Sequence, residues 1–379
     1  MKKFLAGMGA LCASAATMAQ APATAPEAPA SSLKIYGVAD ISIARYRTPN
    51  ESKTAMHAGG SGSRLGFLAS ESLGNGWTVG ARLEAGINLD TGTSSSTNGN
   101  PSRVFGRQAY VELANRELGT LRLGRQQGPT YNFFPSYDPM LLPAMDAWGV
   151  VTTLAFPAPG VASGNGTSTG FLINPTGRTE NTLAYISPRV AGVQGTLAYS
   201  PSEGSATQPD LLEAGADYVA GPLQLGVLYV RAGATDGAGA IRATEANSEI
   251  AFGAKYEAGP VQPYFSYIRR KSTDPTRALG GGILNGNDET ARLFGVAIPV
   301  SQRGTVRMTY GRYSSGTANS DATNYGAAYT YAVSPRLMLM AAFTHLSQDG
   351  AARYGVFQSP RPGAGESVDA VTTGLTWRF

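Results

Sequence analysis

Taken two at a time from Leu33, the chain reads Leu33, Ile35, Gly37, Ala39, Ile41 and Ile43 on one face, and Lys34, Tyr36, Val38, Asp40 and Ser42 on the other. A period of two predicts a β-strand with one apolar face. The alternation recurs from Trp77, where Val79, Ala81, Leu83, Ala85 and Ile87 oppose Thr78, Gly80, Arg82, Glu84, Gly86 and Asn88. It recurs again at the end, where Val371, Thr373, Leu375, Trp377 and Phe379 oppose Thr372, Gly374, Thr376 and Arg378. A soluble sandwich also alternates, so a single strand discriminates weakly.

The connections discriminate better. Very short turns at 73–76, 115–118, 188–191, 220–222, 258–260, 300–302 and 333–335 alternate with long polar stretches near 47–62, 89–102, 127–177, 201–210, 233–246, 271–288, 315–321 and 348–367. Tight turns on one rim and long loops on the other predict a transmembrane antiparallel β-barrel, all-β, with short periplasmic turns and long extracellular loops. The segments between connections number about sixteen, at roughly 9–11 residues each, long enough to cross a bilayer when tilted. An even count puts both termini at the short-turn rim. About sixteen strands leave an aqueous bore, whereas about eight would be filled by side chains.

The first residues change the picture only locally. Met1, Lys2 and Lys3 precede an apolar stretch that ends at Ala19-Gln20-Ala21, the pattern of a cleaved signal peptide over 1–21. Residues 22–32 form a Pro/Ala-rich leader, and the barrel is expected over 33–379. The one cysteine, Cys12, leaves with the signal, so neither disulfides nor thiolate metal sites are available. Without Lys2 and Lys3, 28 basic residues stand against 26 acidic ones, which is no nucleic-acid footprint.

Several stretches resemble the general porins of Gram-negative bacteria, of the beta-proteobacterial type. They are Leu33-Lys34-Ile35-Tyr36-Gly37-Val38-Ala39-Asp40, Ser63-Arg64-Leu65-Gly66-Phe67, Glu71 to Gly76, Leu83-Glu84-Ala85-Gly86, Gly106 to Val111, Gly119 to Gln126, Asn181 to Pro188, and the terminal Phe379. The chain departs from that family in its Pro/Ala leader and in Glu71-Ser72-Leu73, where an acidic pair is more usual. The resemblance implies a sixteen-stranded homotrimer in outer-membrane lipid and lipopolysaccharide. It also implies a third loop folded into the lumen and a terminal Phe379 read by the barrel-insertion machinery. The expected function is a water-filled channel for passive diffusion of small hydrophilic solutes and ions, with mild anion preference and no cofactor.

The longest loop, between Gln126 and Arg178, carries no Lys or Arg but holds Asp138 and Asp146. Alternation turns Arg82 and Glu84 into the lumen, and it sets Arg64 opposite in phase to Leu65 and Phe67, and Arg178 opposite to Leu183 and Tyr185. The resemblance places arginines that line the narrow zone of anion-preferring members at Arg64, Arg107 and Arg178. Arg122 is lumen-facing by alternation, and Arg125 stands at a strand end. Arg107 shares its parity with Phe105, Ala109, Val111 and Leu113, as a strand buried in a trimer contact would. The loop's Tyr131, Phe133, Phe134, Met140, Leu141, Leu142 and Trp148 either fix it to the inner wall or form an aromatic slide for a sugar-like solute.

Other function classes find little material. The two histidines, His57 in a loop and His345 near a strand's loop end, cannot be assembled into a nucleophilic triad, and Gly166-Thr167-Ser168-Thr169-Gly170 lies in a Gly/Ser/Thr loop rather than on a strand-to-helix turn. Zinc has no ligand set, and calcium on loop aspartates is unsupported. A solute-specific channel, or a non-conducting structural or adhesive surface barrel, shares most of these features.

Overall fold

A computed structural model describes residues 31–58, 61–95, 103–140, 177–204, 209–235, 241–271, 288–316, 318–356 and 359–379. Its strands are β1 (Ser31–Arg47), β2 (Ser52–Ala58), β3 (Ser63–Gly74), β4 (Trp77–Asn88), β5 (Thr93–Ser94), β6 (Gln108–Asn115), β7 (Gly119–Gln127), β8 (Arg178–Ile186) and β9 (Val193–Ser200). They continue as β10 (Leu211–Ala220), β11 (Leu223–Thr235), β12 (Ile241–Tyr256), β13 (Gln262–Lys271), β14 (Glu289–Pro299), β15 (Gly304–Ser314), β16 (Ala322–Ala332), β17 (Leu337–Gln348) and β18 (Val368–Arg378). Among the described residues one helix, α1 (Pro129–Ser136), follows β7.

The sheet closes on itself, because β1 pairs antiparallel with β18 from Val38↔Arg378 to Arg47↔Asp369. On its other side β1 pairs first with β3 through Ser31↔Glu71 to Val38↔Arg64, and then with β2 through Ile41↔Ala58 to Arg47↔Ser52. β2 and β3 are therefore two halves of one stave. β5 is a two-residue addition to β4, and β4 pairs on directly with β6. The result is a closed antiparallel barrel of sixteen staves.

Every short turn read from the sequence separates consecutive staves. Two of the expected loops are shorter than they look: Ser52–Ala58, within 47–62, is strand, and β12 already begins at Ile241, within 233–246. His57 thus lies in a strand, fully buried, rather than in a loop. β1 begins at Ser31, so the last two residues of the expected leader already pair with β3. The expected signal peptide lies outside the described residues.

Burial is inverted relative to a soluble sandwich. On β1 the apolar Ile35 is 61% exposed, while Asp40 on the opposite face is fully buried. β18 repeats this, with Val371 exposed and Thr372 and Thr376 buried. Outward tyrosines and tryptophans gather at two heights. Tyr185, Tyr218, Tyr256 and Trp377 stand near the short turns, and Tyr199, Tyr229 and Tyr325 toward the long loops. Such paired aromatic girdles flank the apolar band of membrane barrels.

The segment from α1 to Met140 lies along the inner wall. Gly128 donates its N–H to the Gly177 carbonyl at 2.9 Å, pinching together the two ends of the β7–β8 connection. Pro129 then occupies the first turn of α1, where its missing N–H costs nothing. Glycines at lumen-facing positions receive the segment. A Cβ on Gly226 or Gly253 would stand 2.2 or 2.3 Å from Tyr137 atoms, and one on Gly295 2.5 Å from Pro139. Ser266 Oγ donates to the Tyr137 carbonyl at 2.9 Å, and Arg307 Nη1 to the Pro139 carbonyl at 2.7 Å.

Candidate functional site

Where β2 gives way to β3, the chain is stitched to Asp40 of β1. The Asp40 carboxylate accepts the backbone N–H groups of Ser61 (2.5 Å) and Gly62 (3.0 Å) and the Thr376 hydroxyl (3.0 Å). Ser63 Oγ accepts the Asp40 N–H at 2.9 Å and donates to its carbonyl at 2.8 Å. This anchoring sets the base of Arg64, whose Nη1 donates to the Ser61 and Gly62 carbonyls at 2.6 and 2.9 Å. Gly62 has φ +65°, and a Cβ there would meet Arg107 Nη1 at 3.2 Å, so glycine serves both the bend and the neighbouring guanidinium.

Glu84 of β4 is the hub. It is 3% exposed and accepts Arg107 Nε at 2.7 Å, the Tyr36 hydroxyl at 2.7 Å and Gln108 Nε2 at 3.4 Å, with Arg64 Nε 3.8 Å away. Tyr36 reaches it by lying over Gly66, where a Cβ would stand 2.3 Å from the ring.

Arg107 precedes β6, so strand alternation does not govern its direction. Its backbone N–H bonds to the Glu84 carbonyl at 3.1 Å, and its side chain turns inward. Parity with Phe105 and Ala109 pointed outward, and the strand's late start is what frees it.

Tyr131 of α1 completes the cluster. Arg107 Nη2 donates to its hydroxyl at 3.2 Å, and the Arg178 guanidinium stands 4.7 Å from its ring centre. Burial alone would push the Tyr131 hydroxyl pKa up, but the guanidiniums of Arg107, Arg178 and Arg64 outweigh burial and hold it below the ordinary tyrosine value. The residues brought together are thus Arg64, Arg107 and Arg178 around Glu84 and Tyr131, three positive charges to one negative. Arg107 and Arg178 are 5% and 8% exposed, so their field rather than direct contact reaches a passing ion.

The remaining expected residues stand apart. Arg82 lies toward the short turns, its guanidinium 5.6 Å from the Tyr36 ring centre. Arg122 faces the lumen but is paired with Glu112 at 2.8 Å and stacked 4.3 Å over Tyr110. Arg125 takes the outward parity of Leu121 and Leu123, bonding the Gly106 carbonyl at 2.7 Å and Glu180 at 3.3 Å, so it does not join the cluster. Asp138 caps the Met140 N–H at 2.8 Å beside Arg307, across the lumen from Glu84 rather than against Arg64. Asp146, Leu141, Leu142 and Trp148 lie outside the described residues.

Phe133 and Phe134 meet edge to face at 5.3 Å and are buried, as is Met140. Tyr131 departs from the expected choice between wall contact and aromatic slide, because it serves the arginines. Its signal, a tyrosine just after Gly-Pro in an arginine-free loop, is too common to have singled it out. On the short-turn side of α1 a cavity of about 390 Å³ is lined by Arg122, Gln126, Asn132, Arg189, Gln194 and Asp217 among others.

The family model that matches this chain, over residues 6–351, describes Gram-negative porins. Outer membrane porin protein 32 of Delftia acidovorans is 30% identical over 206 residues, 54% of this chain and 50% of that protein. The chain thus spans about half the length of the curated relatives it matches. Among solved structures, an anion-selective porin from Comamonas acidovorans aligns with a TM-score of 0.71 at 24% identity, covering 92% of this chain and 100% of the other. A Vibrio cholerae outer membrane protein in a trimer form aligns with a TM-score of 0.59 at 12% identity, over 92% and 100% of the two chains.

Proposed function

The chain belongs to the Gram-negative porin family, and from that premise we propose that it is an outer-membrane channel for passive diffusion of small hydrophilic solutes and ions, with a mild preference for anions. The observation that carries the preference is the lumen cluster of Arg64, Arg107 and Arg178, of which Arg107 is ion-paired to Glu84 and Arg64 stands 3.8 Å from the same carboxylate. Two unit charges about 4 Å apart interact by roughly 1 kcal/mol in bulk water and about 4 kcal/mol at an effective dielectric near 20. A field between those limits recruits an anion without trapping it, which is what conduction requires.

The same reading makes the protein a homotrimer, in line with the trimer form of the Vibrio relative. It contacts outer-membrane lipid and lipopolysaccharide, is exported by the signal at 1–21, and is inserted through the strand ending in Phe379. The test is reversal potential across a salt gradient in planar bilayers. Arg64→Ala and Arg178→Ala should each reduce anion preference while leaving conductance open. Unchanged ion preference in both variants would discard the arginine cluster as its source.

A further inference from the structure

Four staves of the run β11 to β15 carry basic residues on their outer face at the long-loop end, all exposed: Arg231 on β11, Arg269 and Lys271 on β13, Arg292 on β14 and Arg312 on β15. Three of these arginines follow an outward tyrosine by two positions, as in Tyr229 and Arg231, Tyr267 and Arg269, and Tyr310 and Arg312. The band therefore sits one step beyond the outer aromatic girdle, where hydrocarbon gives way to headgroups. Arginine on the lipid face is costly at the bilayer midplane and nearly free only at the interface, which fits this height.

The band is held under repulsion. Arg292 and Arg312 are direct cross-strand partners, and like charges facing each other across a ladder destabilise it. Arg292 also stands 6.0 Å over the Tyr267 ring centre. Among the described residues, the ion pairs made by these five are Arg269 with Asp288 and Arg312 with Asp321. At the same rim beyond β16, Asp369 of β18 is bonded to His345 of β17 and lies across from Arg47 of β1, so a carboxylate stands between those basic groups, whereas none stands between Arg292 and Arg312 in their ladder.

We propose that this patch docks the phosphate groups of the outer leaflet's glycolipid, lipopolysaccharide, with one phosphate bridging Arg292 and Arg312. Guanidinium groups match phosphate oxygens in a two-pronged geometry, and a shared anion turns the cross-strand repulsion into attraction. The proposal rests on the reading that the long loops face outward from the outer membrane, and it adds the partner's site.

The test uses the whole protein refolded in detergent without lipopolysaccharide, and titrates diphosphorylated lipid A against its dephosphorylated form by native mass spectrometry. The diphosphorylated form should bind saturably and weaken as salt rises. The dephosphorylated form should bind at least about tenfold more weakly, as should the diphosphorylated form to the paired variant Arg292→Ala, Arg312→Ala. The variant should keep the wild-type reversal potential, since both side chains point away from the lumen.

Equal binding of the two lipid forms by the unaltered protein, which needs no variant, overturns the proposal. So does undiminished binding by the paired variant. Inorganic phosphate binding as tightly as the lipid would make the patch a site for free anions and also overturn it. Failure of the channel reading itself would appear separately, as absent conductance in bilayer recordings.

Discussion

Tyr131 and Tyr137 lie in one short segment, yet their hydroxyls meet opposite fields. Burial and the nearby Asp217 push Tyr137 up to about 12, whereas three guanidiniums hold Tyr131 below the ordinary value near 10. Tyr131 therefore ionises first as pH rises, and its phenolate cancels part of the arginine field. Anion preference should fall on the alkaline side, below about pH 10, and Tyr131→Phe should abolish that step while leaving the neutral-pH preference nearly intact; reversal potentials across a pH series check both. Glu84→Gln makes the complementary case. It removes the one carboxylate bonded to Arg107 and should strengthen anion preference, and a weaker preference would show that Glu84 acts mainly by aiming the arginines. Alternation exposed Arg64 and Glu84 because both sit inside regular strands. It misdirected Arg107, which precedes its strand, and it could say nothing about Asp138, because the stretch of wall on which a loop is seated leaves no mark in local sequence.

At the scale of elements, the staves were legible wherever hydrocarbon enforces alternation, and illegible where it does not. β2 reads Ser-Lys-Thr-Ala-Met-His-Ala and lies toward the long-loop rim, so neither face needs to be apolar, and its backbone ladder to β1 is what defines it as a strand. The seat of α1 was hidden differently. Gly215, Gly226, Gly253, Gly295 and Gly326 all take lumen-facing positions on separate strands, and only the closed barrel lines them up beneath Pro129, Tyr137, Pro139 and Met140. A methyl group added at Gly253 would stand 2.3 Å from the Tyr137 ring, far inside contact distance, so the loop must move. Gly253→Ala should change single-channel conductance and raise its noise. Gly195→Ala, whose nearest neighbours lie 3.9 Å away, should match the unaltered protein. Equal traces from both variants would mean that the loop is held in place by other contacts.

For the whole molecule, closure depends on a seam that local alternation does not describe. β1 and β18 are the first and last strands described, and their pairing turns an open sheet with two exposed edges into a barrel that satisfies its backbone in lipid. Beyond the strand itself, Phe379 exchanges two backbone hydrogen bonds with Gly37, at 3.0 and 3.1 Å, and its ring lies over the bare Gly37 Cα and 5.0 Å from the Trp377 ring. The ring is about half exposed, so truncating it to alanine should cost less than the roughly 3–5 kcal/mol of a buried phenylalanine. Deleting Phe379 removes the two backbone bonds as well, each worth about 0.5–1.5 kcal/mol net in water and more where water is scarce. The temperature at which the folded band disappears in a seminative gel should therefore fall in the order unaltered protein, Phe379→Ala, Phe379 deletion. Gly37→Ala should fall least, because the terminal ring is exposed and can swing aside from the added methyl. If deletion left that temperature unchanged, Phe379 would contribute nothing to the seam of the finished barrel.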